Sequence, residues 1–229
     1  MDKDSIRQLV DVRDRAIQKS RIQFDARLYA IEEGEDQADE ETIALLVRYK
    51  NRFRALEKEL DADILEMVQQ YEIYKHISAV KGIGPTIAAK LIAMIDIERA
   101  PHVSSLWRYS GLAVTDGKSD RPVKGEKLAY NKRLKTVCTF LIPRALLMAK
   151  SPYSEIFYKA REFYSINRPE WTKDHVRRSA NRKMVKIFMS HLWLRWRQLE
   201  GLPISAPYVH ARLGHTHNYP PEDFGWPEL

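Results

Sequence analysis

The chain of 229 residues carries 38 lysines and arginines against 31 aspartates and glutamates, a formal net charge of +7, with 44% hydrophobic residues, five tryptophans and one cysteine. That length and apolar content can bury a core without disulfides or metals, and they exclude intrinsic disorder. Cys138 alone cannot form an intramolecular disulfide, and the start MDKDSIRQ lacks the basic and apolar regions of a secretory leader. The most apolar stretch, Phe140 to Ala149, contains Pro143 and Arg144 and falls well short of the roughly 20 residues of a membrane span, so a cytoplasmic protein without membrane contact is expected.

Residues 4–32 place Ile6, Leu9, Val10, Ile17, Phe24, Leu28 and Ile31 at helical spacing amid charge of both signs, which predicts a long, mostly exposed helix. The acidic run Glu32–Glu41, with Gly34 inside it, reverses the chain. A second helix follows, in which Leu46, Phe53, Leu60, Met67 and Tyr74 recur every seven residues. Ile43, Tyr49, Leu56, Ile64 and Tyr71 fill a companion seam that Lys50 and Glu57 interrupt. A helix of this length spans about 50 Å. The pattern fits an antiparallel coiled-coil hairpin or one arm of a self-associating dimer, and equally two amphipathic helices packed on the body of the chain. The charge divides at the end of this arm: residues 1–80 carry net −5 and residues 81–229 net +12, so the second part has the electrostatics of a polyanion binder.

The segment HISAVKGIGPTIAAKLIAMID has the most specific local chemistry. Gly82 and Gly84 flank Ile83, Pro85 suits the first turn of a helix, and Ile87, Ala88, Leu91, Ile92 and Ile95 give that helix an apolar face. Glycines let a backbone approach a phosphate, and the helix start behind them presents unpaired N–H groups and the positive end of its dipole. Lys81 and Lys90 add charge. A glycine-lined bend followed by a small-residue helix resembles the helix-hairpin-helix motif, which grips the DNA backbone without reading bases; an αα-corner in a helical core has the same outline.

After PHVSSLWRYSGLAV comes a polar loop in which Lys118, Arg121, Lys124, Lys127, Lys132, Arg133 and Lys135 face only Asp116, Asp120 and Glu126 in opposition. Leu134 to Lys150 reads as a buried helix kinked at Pro143, and Ser151-Pro152 starts another carrying Tyr153, Ile156, Phe157, Phe163 and Tyr164. From about Thr172 to Leu199 a two-faced helix sets Val176, Ala180, Met184, Ile187, Phe188, Leu192 and Leu199 against Arg177, Arg178, Arg182, Lys183 and Lys186. Beyond Gly201 an aperiodic Pro- and aromatic-rich tail is expected to pack on the domain. His215 and His217 lack the further spaced pair of ligands that a metal site needs, so no metal is expected.

On GIGPTIAAKLIAMI, the LWRYSGLAV stretch and the loop after it, residues 77–150 resemble the C-terminal domain of the insertion-sequence transposases related to the pilin-inversion recombinase Piv, the family that includes the bridge-RNA-guided recombinases. In that family a loop serine eight residues after the glycine of the GL pair attacks a DNA phosphodiester; counted from Gly111, the resemblance implies Ser119. The usual glycine after that serine is Asp120 here, the expected proline after GLA is Val114, and residues 1–75 show only helical periodicity where the family has a RuvC-like nuclease domain with an acidic metal site. Magnesium would therefore come only with a nuclease partner.

These features predict an all-α chain: a helical coiled-coil arm over 1–75, a basic helical DNA-binding domain over 76–200 containing the helix-hairpin-helix, and an extended tail over 201–229. The expected function is backbone-directed DNA binding through Lys81, Gly82, Gly84, Lys90, the basic loop and the 177–186 helix, with a guide RNA or nuclease subunit as further partners implied by the resemblance. A serine-dependent recombinase completed in trans, and a structural component of a mobile element or virus, are the alternatives.

Overall fold

A continuous helix opens the chain in the computed structural model, running as α1 (Lys3–Val12), a π-helical stretch (Arg13–Gln18) and α2 (Lys19–Glu32). It reverses at Gly34, whose φ of +75° lies in the region glycine enters without a Cβ penalty. It is followed by α3 (Glu40–Gln69), capped by the Asp39 carboxylate, which accepts from Thr42 N–H. The structure describes residues 3–115, 117–119, 122, 124–125, 127–204 and 219–229.

The two long helices pack antiparallel, with Phe24 stacked between Phe53 and Tyr49 at 5.6 and 6.2 Å. Lys50 and Glu57, expected to interrupt the seam, instead occupy it. Glu57 is buried and receives Arg13 Nη2 at 2.9 Å and Arg21 Nε at 2.7 Å, while Lys50 reaches Asp25 at 3.6 Å. Arg13 also grips Asp61 with Nε and Nη2, a two-pronged contact suited to its planar guanidinium. Ion pairs thus substitute for the apolar residues missing from those heptad positions, and Tyr49 and Leu56 stand largely exposed beside the seam.

The chain divides by contacts into two units, Met1–Gln70 and Tyr71–Leu229. The second contains α4 (Glu72–Ala79), α5 (Pro85–Met94), α6 (Val103–Tyr109), a two-residue antiparallel ladder pairing Val114 with Ser119 and Thr115 with Lys118, and α7 (Lys132–Thr136). A π-helical stretch (Val137–Leu141), α8 (Ile142–Met148), α9 (Tyr153–Asn167) and α10 (Lys173–Leu199) follow. The expected kink at Pro143 takes the form of this π-helical widening immediately upstream. Proline has no N–H to continue the ladder and its ring crowds the preceding turn, so the helix loosens there without ending.

The fold is all-α, and α10 is its spine. Phe188, Leu192 and Trp196 are wholly inaccessible, and α9 lies alongside. Arg197, also buried, donates to the carbonyls of Ile97, Ala100 and Pro203, satisfying backbone acceptors that burial would otherwise leave bare. The end of the chain returns to this core. Phe224 and Trp226, around a 3-10 turn at Pro221–Phe224, are buried, and Glu222 pairs with buried Arg195. A chain of hydrogen bonds runs from Trp226 Nε1 to Tyr153 Oη (2.7 Å), on to His191 Nδ1 (2.5 Å), and from His191 Nε2 to the Tyr219 carbonyl (2.8 Å). Because the Tyr219 carbonyl can only accept, the neutral His191 carries its proton on Nε2, and Nδ1 accepts from the Tyr153 hydroxyl. Among the described residues no helix is long and apolar enough to cross a membrane.

Candidate nucleic-acid interface

Between α4 and α5 the chain makes a tight turn closed by Ile83 N–H donating to the Val80 carbonyl at 2.9 Å. Val80 and Ile83 are buried and pin it from both sides, while Lys81 at its tip is exposed. Gly82, at the third position, has φ +98°, the glycine position of a type II turn.

The two glycines do different work. A Cβ on Gly82 would sit 2.7 Å from the Ala145 carbonyl oxygen and 2.9 Å from Ala149 Cβ, so this residue lets the turn press against α8. A Cβ on Gly84 meets nothing within 4 Å. Gly84 is the N-cap of α5, with no side-chain cap over the helix start and Pro85 at the first turn. The open approach expected of the pair therefore belongs to Gly84, and Gly82 is an internal packing residue. Lys90 departs from its expected place too. It lies on a fully buried stretch of α5, is only 7% exposed, and is withdrawn from any phosphate at the turn.

The Leu106–Leu112 stretch resolves into a helix terminus. Gly111 N–H donates to the Arg108 carbonyl at 3.0 Å and Leu112 N–H to that of Trp107 at 2.8 Å, with Gly111 at φ +68° and Leu112 fully buried. This is the Schellman arrangement, which explains a glycine followed by an apolar residue at the end of α6. The Lys135 stem covers Gly111 and its Nζ sits 4.1 Å from the Tyr130 ring centre, so Lys135 is engaged in packing. The loop that follows is tied at its base, where Asn131 N–H donates to the Tyr109 carbonyl at 2.8 Å and Asn131 Nδ2 to the Tyr109 hydroxyl at 3.1 Å.

Residues 74–159 match the model of the transposase IS116/IS110/IS902 family. The matched stretch runs from α4 through the turn, the Schellman end of α6, the loop and the α7–α8 helix into the first half of α9. No curated protein and no solved structure matches the chain.

Within the transposase-like stretch, Ser119 lies half-buried on the second strand of the short ladder, opposite Val114 and two residues past Gly117 at φ +74°. Lys124, Lys127 and Lys132 are exposed around it in sequence, Arg133 is half-buried, and Arg121 and the Lys118 side chain lie outside the described residues, as do His215 and His217. On α10, Arg177 and Arg178 are exposed and both pair with Asp174, whereas Arg182 is half-buried. The single thiol is no rival nucleophile: Cys138 is buried, burial pushes its pKa up to about 12, and its sulfur lies against Met189.

Proposed function

We propose that this protein is a transposase-related DNA-binding protein that holds the duplex backbone through α4, the Val80–Gly84 turn and α5, read as a helix-hairpin-helix, with the loop lysines Lys124, Lys127 and Lys132 extending the contact. The observation that carries this is the uncapped α5 amino end at Gly84, open to approach and flanked by exposed Lys81, inside the stretch that matches the transposase model. A helix start without a side-chain cap and a dipole of positive sign suit a phosphate oxygen, and contacts of this kind position a protein without selecting sequence. The antiparallel α1–α3 hairpin is read as a coiled-coil arm for self-association or for docking a nuclease subunit.

Affinity for duplex DNA, measured by fluorescence anisotropy across a salt series, is expected to fall steeply and linearly on logarithmic axes. Lys81→Glu is expected to weaken binding about tenfold at low salt while leaving the melting temperature within a degree or two. Salt-insensitive binding, or no binding at all, overturns the proposal.

A second function, strand transfer by Ser119, is favoured by the position of this half-buried serine within the matched stretch. Attack by its Oγ on a phosphodiester would form a phosphoserine bond and release a deoxyribose hydroxyl, with the serine proton passing to a base supplied by a partner. Covalent capture of a nicked DNA substrate that disappears in Ser119→Ala is the expected result; capture that persists in the variant excludes this serine.

A further inference from the structure

Four basic residues in the first half of α10 fall into two environments. Arg177 and Arg178 share one carboxylate, at 2.5 and 2.6 Å from the two oxygens of Asp174. Arg182 and Lys186, further along the helix, are half-buried, and among the described residues no carboxylate pairs with either. The Arg182 Nε is shut away from solvent without a hydrogen-bond partner. Lys186 Nζ lies 4.7 Å from the centre of the Trp107 ring, whose Nε1 donates to the Lys186 carbonyl at 3.2 Å and so holds α6 against this part of α10.

Residues four apart on a helix share a face, with Cβ atoms ~6 Å apart. Two cations on one helix face, both partly removed from water, are an unfavourable arrangement that folds ordinarily relieve with an acid. Here burial lowers the pKa of Arg182, and burial followed by the neighbouring Arg182 charge lowers that of Lys186. Among the described residues, Tyr164 opposes the shift at Arg182. An arginine guanidinium beside a lysine point charge suits the oxygens of one phosphate.

We propose that Arg182 and Lys186 form a seat for a backbone phosphate of nucleic acid, separate from the turn at Lys81–Gly84. The protein leaves the pair without an acid, and the bound phosphate supplies the compensating charge. The proposal rests on the DNA-binding function for the source of the phosphate and on the α10 geometry alone for the seat.

The full-length chain is tested in two ways, with Arg182→Met and Lys186→Met, and with Lys159→Met as a control that removes an exposed lysine already paired with Glu155. In thermal unfolding, millimolar inorganic pyrophosphate raises the melting temperature of the unmodified chain and of the control by several degrees, and the shift is lost in both α10 variants. The same variants melt no lower than the unmodified chain without ligand, because removing an uncompensated cation relieves repulsion; a purely structural pair would lower it. In anisotropy titrations with duplex DNA each α10 variant binds about tenfold more weakly, with a logarithmic salt slope smaller by roughly 1, and the control is unchanged. A pyrophosphate shift that persists in the variants, or DNA affinity and slope equal to the unmodified chain, overturns the seat. If the unmodified chain binds no DNA but the pyrophosphate shift is still lost in both variants, the DNA-binding function falls and the seat stands as a phosphate site of other origin.

Discussion

Gly82→Ala is expected to lower the melting temperature by roughly 10 °C, equivalent to about 3 kcal/mol in a chain of this size. Two independent costs add. At φ +98° an alanine pays about 1–2 kcal/mol of steric strain that glycine avoids. Its Cβ would also meet the Ala145 carbonyl oxygen at 2.7 Å and Ala149 Cβ at 2.9 Å, atoms of a helix backbone and a short side chain that cannot swing aside. Gly84→Ala is the informative partner. Its φ of −81° suits any residue and its Cβ meets nothing, so stability should change by less than about 1 kcal/mol, while duplex DNA affinity drops if phosphate approaches there. Urea unfolding of the two variants separates the outcomes; equal destabilisation by both would refute the division of labour between the glycines.

Acid is expected to unfold the Tyr71–Leu229 unit through its buried histidines. Burial, against the Tyr219 carbonyl and Glu222, holds the His191 pKa down at about 4, and burial followed by the Arg195 charge lowers that of His76. A histidine kept neutral in the fold but free to protonate when unfolded contributes its stability fully above the unfolded value near 6.5. That contribution is lost as pH falls from there through about 4, where the unfolded chain binds protons that the folded one refuses. For His191, 4% exposed, the upper limit of the loss is about 3 kcal/mol at 1.36 kcal/mol per pH unit. Unfolding free energies at pH 7.5 and 4.5 should differ by about 2.5 kcal/mol through this histidine, and His191→Gln should flatten the difference at the expense of stability at neutral pH. A variant that keeps the full pH dependence would move its origin to His76 or the carboxylates.

Much of the helical layout is legible from periodicity alone. The reversal at Gly34, the start of α5 at Pro85 and the extent of α10 follow from glycine, proline and capping chemistry acting within a few residues. The seam of the first unit was less so, because a charged residue in a heptad position reads as an interruption until its partner is known. Glu57 belongs inside only because Arg13 and Arg21, some 40 residues earlier, arrive across the hairpin. The same holds for the basic residues. By sequence Lys81 and Lys90 are two equal cations around one turn, and Arg177, Arg178 and Arg182 three equal cations on one helix. Exposure separates the first pair and Asp174 separates the second group.

The sequence by itself determined the all-α class, the positions of several of the longer helices, the acidic-to-basic division of charge and the transposase-like stretch, because these depend on local propensity and on sums over residues. Only the tertiary structure decided which glycine packs and which stays open, that Lys90 is buried, that the GL pair ends a helix, and that Arg182 and Lys186 share a half-buried face without an acid. Each of those depends on which distant atoms occupy the space beside a residue, and no window along the chain contains them.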